Sequence, residues 1–369
     1  EQVSNNKIKL GIIGAGANTK SKHIPEFQKI KDVEITAVAN RSIESSQKVA
    51  EEFNIPKAYK NWQELLASPE IDAICIGTWP YMHEILVTEA LNEGKHVLTE
   101  ARMSMDATQA RNMLDASYLK PELITQIVPA PFIDTVEQTV LDLINDDYLG
   151  DILASDLSGI PGFQANNANR GLIDNNAPFM WRHDRDFSGY NIMLMGAWYE
   201  CIMRLLGTAN NVTAITRVYN KQRLTDKNTR KITNIPDHVE VLSEMSSGAL
   251  AHIRISEITG FASEEELWIF GSKGTLLCTG FNNYTSGKLF GGQKGDKTLK
   301  EIPIADDKRG YWRVEQEFVN AINGIEKVSH TTFEDGVKYM EFTEAVTRSS
   351  QNRQTIALPL YELYPAVVY

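Results

Sequence analysis

The amino-acid sequence predicts an α/β protein. Its first part reads as a doubly wound parallel sheet, and its second as an α+β domain on a mostly antiparallel sheet. Three observations carry this. Short, wholly apolar runs alternate with amphipathic segments over residues 1–126. A Gly-x-Gly closes the first of those runs. From residue 127 to 369 the apolar period shortens to two, with turns such as Ser247-Gly248 and Lys273-Gly274 between the runs. Apolar strands that alternate with amphipathic helices are buried on both faces, which is the grammar of βαβ units. A chain of 369 residues also exceeds the usual size of one domain.

In order, strands are expected at 9–13, 33–39, 73–77, 97–98 and 123–128. Helices are expected at 45–53, 82–92 and 107–116. In the second part a helix is expected at 134–146, a strand at 150–159, and a loop rich in Asn, Gly and Pro at 159–176. Strands follow at 212–219, 239–246, 250–258, 266–270 and 275–278, and a helix at 333–350 closes the chain.

Composition narrows the function. With 48 acidic against 37 basic residues the net charge is −11, which argues against nucleic acid or an anionic membrane as the main partner. No apolar run is long enough to span a bilayer. Cys75, Cys201 and Cys278 stand far apart, so neither a disulfide framework nor a zinc site is expected. The first residues show no signal-peptide pattern, and a cytoplasmic protein is expected, although the chain does not begin with Met and a removed signal stays open.

The sharpest local signal is GIIGAGANT. Gly14 and Gly16 follow a strand and precede a helix, at the spacing of a Rossmann dinucleotide fingerprint. The first glycine permits the tight turn; the second lets the backbone approach a pyrophosphate at the helix start, formed by Ala17, Asn18 and Thr19. Thr19 replaces the third glycine. The second strand should end in a residue that reads the ribose, and here it ends Asn40-Arg41-Ser42. An acidic residue there would select NAD. A guanidinium and a hydroxyl suit a 2′-phosphate, so NADP(H) is preferred and NAD(H) remains possible. The plainer alternative makes Arg41 a solvated loop charge.

Three segments together resemble a known family: GIIGAGANTKSKHIPEF, IDAICIGTWPYMHEILVTEALNEGKHVLTEA and FEDGVKYMEFTEAVTRSSQNR are similar to the Gfo/Idh/MocA group of glucose–fructose oxidoreductases and inositol dehydrogenases. Thr78, His83, Ala90, Leu91, Gly94, Lys95, His96, Val97 and Glu100 match its T-P-x-x-x-H and A-L-x-x-G-K-H-V-x-x-E-K-P patterns. The resemblance implies a Rossmann domain followed by a domain on a large open sheet. It implies NAD or NADP as cofactor, sugars and polyols as substrates, and homodimers or homotetramers. It places Thr78, Trp79, His83, Glu100, Ala101 and Arg102 around the cofactor.

The resemblance also marks departures. The family's lysine position holds Ala101 and its proline position Arg102. Alanine cannot donate a proton, and a guanidinium hardly ever does. The family's D-x-G-x-H-x-x-D positions read Leu194, Gly196, Trp198 and Cys201. The polar segment from Trp181 to Asn191 is the expected replacement. His183 is the candidate acid/base, oriented by Asp184 or Asp186; Arg182 and Asn191 would bind substrate oxygens, and Trp181 and Trp198 would stack on a sugar ring. Tyr199, beside Glu200 on the helix of the vacant site, is a further catalytic candidate, and so is Arg102, which could hold a substrate oxygen or a carboxylate. Plainer readings stand beside these. The Arg/His/Asp run suits a salt-bridged loop, Trp198 a core position, and His83 and His23 structural roles; no metal-ligand spacing is present. The function expected is an NAD(P)-dependent oxidoreductase with a non-standard acid/base. The alternatives are a non-catalytic NADP- or sugar-binding protein, or a lyase or glycosidase that uses tightly bound NAD(P) transiently.

Overall fold

The computed structural model describes residues 7–130, 132–160, 171–174, 176–262, 265–281 and 286–363. Most of the expected loop at 159–176 lies outside the described residues. The contacts divide the chain into two units. The first runs to Pro129 and also takes Arg313–Val337; the second holds Ala130–Trp312 and the chain from Lys338 onward. The return of Arg313–Val337 to the first unit was not anticipated by a simple division after residue 126.

The first unit alternates as its apolar pattern requires: β1 (Ile8–Ile13), α1 (Ile24–Lys29), β2 (Val33–Ala39), α2 (Ile43–Phe53), β3 (Lys57–Tyr59), α3 (Trp62–Leu66), β4 (Ala73–Ile76), α4 (His83–Asn92), β5 (His96–Thr99), α5 (Ala107–Tyr118) and β6 (Thr125–Ile127). All pairs are parallel, in the order β3-β2-β1-β4-β5-β6. Leu10, Ile12, Ala73, Ile74, Ile76, Val97 and Leu98 are fully buried. Helix starts are set by side-chain caps. Ser42 accepts from the Ser45 amide, Asn61 from that of Glu64, and Asp106 from that of Gln109. Asn54 ends α2 in the left-handed region at φ 55°.

The second unit contains α6 (Asp134–Asn145), β7 (Ile152–Gly159), α7 (Arg185–Ser188), α8 (Met195–Leu206), β8 (Asn211–Arg217), β9 (Gln222–Leu224), β10 (Arg230–Ile232), β11 (His238–Glu244), β12 (Leu250–Ser256), β13 (Glu266–Gly271), β14 (Gly274–Thr279), β15 (Lys288–Gln293) and β16 (Lys300–Ile302). The chain then forms α9 (Val314–Ile322) in the first unit, and afterwards α10 (Phe333–Asn352) and β17 (Ile356–Ala357). A nine-stranded sheet runs β16-β15-β14-β13-β7-β12-β11-β8-β17. It is antiparallel except at the parallel β7–β12 pair. Val239, Val241, Ile253, Ile255, Leu267 and Ile269 fill its buried face, which is the period-two pattern of the sequence made physical. No helix among the described residues is long and apolar enough to cross a membrane.

Candidate functional site

β1 runs into Gly14-Ala15-Gly16, and a π-turn (Thr19–His23) then leads into α1. Gly14 sits at φ +83°, and a Cβ there would lie 2.6 Å from Thr78 Cγ2. Glycine alone suits both the dihedral and the space. Gly77 closes the same contact from β4: a Cβ on it would lie 2.3 Å from the Gly14 carbonyl oxygen. Thr19, at the third glycine position, is buried and donates its hydroxyl to that carbonyl at 3.3 Å. The small residue there acts as a brace for the turn.

A cavity of about 580 Å³ opens at the C-terminal ends of β1, β2 and β4. Gly14, Ala15, Gly16, Asn40, Arg41, Gly77, Thr78 and Trp79 are among its lining. The strand order reverses direction between β1 and β4, and open α/β sheets bind ligands at that switch point. The residues present fit a dinucleotide. A Cβ on Gly16 would meet only the Gly77 carbonyl oxygen, at 3.4 Å, so this backbone is open to close approach. Asn40 Oδ1 accepts from the Ala15 amide at 2.8 Å, and its Nδ2 donates to the Ser45 hydroxyl at 3.0 Å, which pins the turn to α2. Arg41 is exposed on the cavity wall, whereas Ser42 serves as the cap of α2. Ala17, Asn18, Thr19, Ser42, His83, Glu100, Ala101 and Arg102 stand outside the lining of this cavity.

Two buried histidines hold the surroundings of the turn. His83 Nε2 faces the Thr78 carbonyl oxygen at 3.0 Å, and its Nδ1 faces those of Arg102 and Met103 at 3.1 Å. Burial keeps this ring below its ordinary pKa despite the carbonyls. His23 Nδ1 lies 2.6 Å from Glu315 Oε1 and its Nε2 lies 3.0 Å from Glu100 Oε1. Burial alone would lower its pKa; the hydrogen bonds to Glu100 and Glu315 outweigh burial and raise it to about 9. Burial would lift Glu100, but the His23 hydrogen bond and charge pull it down to about 2. Glu100 also accepts from Asn18 Nδ2 and from the Ala101 amide. The charged end of β5 is therefore an internal clamp.

In the second unit the Trp181–Asn191 segment forms a short turn and α7. The Arg182 guanidinium stacks over the Trp181 ring at 4.3 Å. His183 is 5% exposed, and its Nδ1 accepts from the Met180 amide at 3.0 Å. Burial, then the charges of Arg223 and Arg182, push it down to about 3, so the ring is neutral at neutral pH. The expected Asp184–His183 pair is not formed. Asp184 caps α7 through the Asp186 amide and pairs with Lys231 at 2.5 Å, which lowers its pKa. Asn191 Nδ2 donates to the Ser188 carbonyl at 2.7 Å.

Two further expectations on α8 are corrected. Trp198 is wholly buried, stacked on Phe132 at 4.1 Å, with its Nε1 donating to the Met193 carbonyl at 3.2 Å. It is a core side chain, without a face to offer a sugar. Tyr199 is 1% exposed and stacks on Phe342 at 3.8 Å; its hydroxyl accepts from the Ala209 amide at 2.8 Å. Burial drives its pKa up, so it has no access to acid/base work. Glu200 pairs with Arg204, which also reaches Glu137 and Asp134.

Residues 8–123 match an oxidoreductase family with an NAD-binding Rossmann fold, and residues 142–358 match the C-terminal alpha/beta domain of that family. The chain belongs to the Gfo/Idh/MocA oxidoreductase family. An uncharacterised oxidoreductase of Synechocystis sp. is 23% identical over 371 residues, covering 95% of this chain and 96% of its own. The trans-1,2-dihydrobenzene-1,2-diol dehydrogenase of Mus musculus is 27% identical over 174 residues, 45% of this chain and 51% of its own. A levoglucosan dehydrogenase in complex with NADH and L-sorbose has a TM-score of 0.80 at 17% identity, covering 96% of this chain and 100% of that one. The aldose-aldose oxidoreductase of Caulobacter crescentus has a TM-score of 0.77 at 18% identity, covering 96% and 100%. At these identities the structural likeness shows a shared fold.

Within this Gfo/Idh/MocA chain, reasoning from sequence missed the reach of His23. Its partner Glu315 lies 292 residues away, and no local spacing announces such a pair. It also missed Arg223, a fully buried guanidinium that donates to Glu257 at 2.5 Å.

Proposed function

We propose that the chain is an NAD(P)-dependent oxidoreductase acting on a sugar, polyol or sugar-derived substrate. One observation carries this reading: the cavity on the glycine turn, at the strand-order switch, with Gly16 open to a pyrophosphate. The names of the levoglucosan dehydrogenase and the aldose-aldose oxidoreductase support the substrate class. A bound nicotinamide would supply hydride acceptance or donation at its C4. Gly14, Gly16 and Ala15 would hold the pyrophosphate, and Asn40 keeps their turn in place. Arg41 would pair with a 2′-phosphate, which favours NADP(H). Arg182 and Asn191 would meet substrate oxygens. His183 would present Nε2–H as a donor that orients a substrate oxygen, because its Nδ1 already accepts from the Met180 amide and a ring neutral down to about pH 3 is a poor acid.

A second reading, nucleotide or sugar binding without turnover, is favoured by two placements. Ala101 occupies the position of the family's lysine, and Trp198 and Tyr199 are core residues. Titration with NADPH and NADH by nicotinamide fluorescence, followed by a sugar and polyol turnover screen of wild type and His183→Ala, separates the readings. Tight binding with turnover supports the enzyme; binding without turnover across the panel supports the second reading; no nucleotide binding sinks the enzyme reading and the nucleotide-binding form of the second. Arg41→Ala should weaken NADPH about tenfold and leave NADH unchanged, the scale of one charge-assisted hydrogen bond. Equal effects on both nucleotides would remove the phosphate assignment.

The chain is also proposed to form a homo-oligomer through the outer face of the nine-stranded sheet, where Ile215, Leu242, Leu250 and Phe270 are exposed.

A further inference from the structure

Both ring nitrogens of His23 face carboxylate oxygens, Glu315 Oε1 at 2.6 Å and Glu100 Oε1 at 3.0 Å. An ionised carboxylate only accepts hydrogen bonds. Satisfying both contacts therefore takes two ring protons, which makes the ring an imidazolium. The His23 and Glu315 side chains are 0% and 1% exposed, so solvent does little to screen the interaction. Cys75 and His83 lie close enough to feel the charge of Glu100. Burial raises the Cys75 thiol above its ordinary pKa and lowers the His83 ring below its own, so both are disfavoured in their charged forms. The carboxylate that His23 holds in turn accepts from Asn18 Nδ2 and from the Ala101 amide.

We propose that His23 is a positioning residue for the nucleotide site: its imidazolium ties Glu315 on α9 to Glu100 after β5, and so holds Glu100 against Asn18 at the helix start beyond Gly14-Ala15-Gly16. This rests on the nucleotide-binding reading above, and it adds a pH dependence that a space-filling histidine would lack. Loss of one ring proton leaves two carboxylates facing a single N–H. Glu100 then loses a donor, and the Asn18 contact loosens. The raised pKa places this change near pH 9.

The test is an NMR titration of the protein without nucleotide, from pH 6 to 10, following the ¹⁵N shifts of the His23 ring and the Asn18 side-chain amide. Both ring nitrogens should be protonated at pH 7, and the two signals should move together with a midpoint near 9. In Glu315→Gln the midpoint should fall, because one of the two raising carboxylates is gone. A neutral ring at pH 7, or an Asn18 amide that ignores the His23 titration, overturns the proposal. NADPH affinity measured in parallel should weaken about tenfold through the same midpoint, as for one lost orienting hydrogen bond. Affinity that stays constant while Asn18 moves also overturns the positioning role. A protein that binds no nucleotide at any pH refutes the functional reading and with it the role at a nucleotide site, while the NMR signals still decide whether the clamp itself exists.

Discussion

Tyr199 shows how burial decides what a side chain is for. Its neighbours on α8 made it a candidate acid, yet its ring is stacked on Phe342 and its hydroxyl is committed to the Ala209 amide. Tyr199→Phe should therefore cost about 1 kcal/mol of stability by urea unfolding and leave any turnover unchanged. A large fall in kcat with unchanged stability would restore the catalytic assignment. Two histidines make opposite pH predictions. His183 sits at about 3 in the folded chain against about 6.5 unfolded, so its contribution is complete above pH 6.5 and is lost as pH falls towards 3. His23 sits at about 9, so its contribution is complete below pH 6.5 and is lost as pH rises towards 9. Calorimetry at pH 5, 7 and 9 should show the transition that contains the second unit weakening on the acid side. The transition that contains the first unit should weaken on the basic side, each by about 5 °C. The same transition weakening in both directions would contradict the division.

Among the elements, the contact of β4 with the glycine turn is the tightest constraint on the cofactor site. A Cβ on Gly77 would lie 2.0 Å from Thr19 Oγ1 and 2.3 Å from the Gly14 carbonyl oxygen, and neither neighbour is the end of a flexible side chain. Gly77→Ala should cost about 1–3 kcal/mol and weaken nucleotide binding at least about tenfold. Thermal unfolding and fluorescence titration measure the two effects, and unchanged affinity would mean that the turn is not the cradle. This half of the site was legible because Gly14, Gly16, Asn40, Arg41, Thr78 and Trp79 all sit where apolar strands end. The same grammar located β1, β2, β4 and β5, since their residues are buried on both faces. It could not find β3, whose three residues Lys57–Tyr59 are too few to show a period. It also passed over α9, because Glu315 and Glu317 stand among its buried residues and break the apolar stripe. Their partners, His23 for Glu315 and Gln126 and Ser329 for Glu317, come from other elements, and sequence spacing does not encode them. Tyr199, and Trp198 in its reading as a sugar wall rather than a core position, fail for a related reason: position on a helix is visible in the sequence, and what packs against it is not.

At the scale of the whole molecule, the sheet of the second unit has two unlike faces. One face is filled by Val241, Ile253, Leu157, Leu267 and Leu276 and is buried. The other carries Ile215, Leu242, Leu250 and Phe270, with relative exposures of 58%, 60%, 59% and 37%. Cross-strand register puts these on one surface: Leu250 lies beside Ala154, Phe270 beside Ala154 on its other side, and Leu242 beside His252. Trp268 stacks along the same face on Phe270, at 5.8 Å. His252 adds a polar patch there, between Glu240 at 2.7 Å and Asp156 at 3.3 Å. An exposed apolar surface of this kind suits the proposed interface, and the paired charges among its apolar residues would add specificity rather than affinity. A second copy is the occupant that the family resemblance implies. Leu242→Asp puts a charge in the middle of that surface without touching the buried face, so folding should survive. The expected result is dissociation to single chains in light scattering after gel filtration, with a weakening of about a hundredfold, the scale of an interface hot spot. The thermal midpoint of the variant at high dilution should equal that of wild type at the same dilution, because only association has been removed. A wild type that is already a single chain at tens of micromolar would assign this face to another partner, and a variant that stays assembled would move the interface elsewhere.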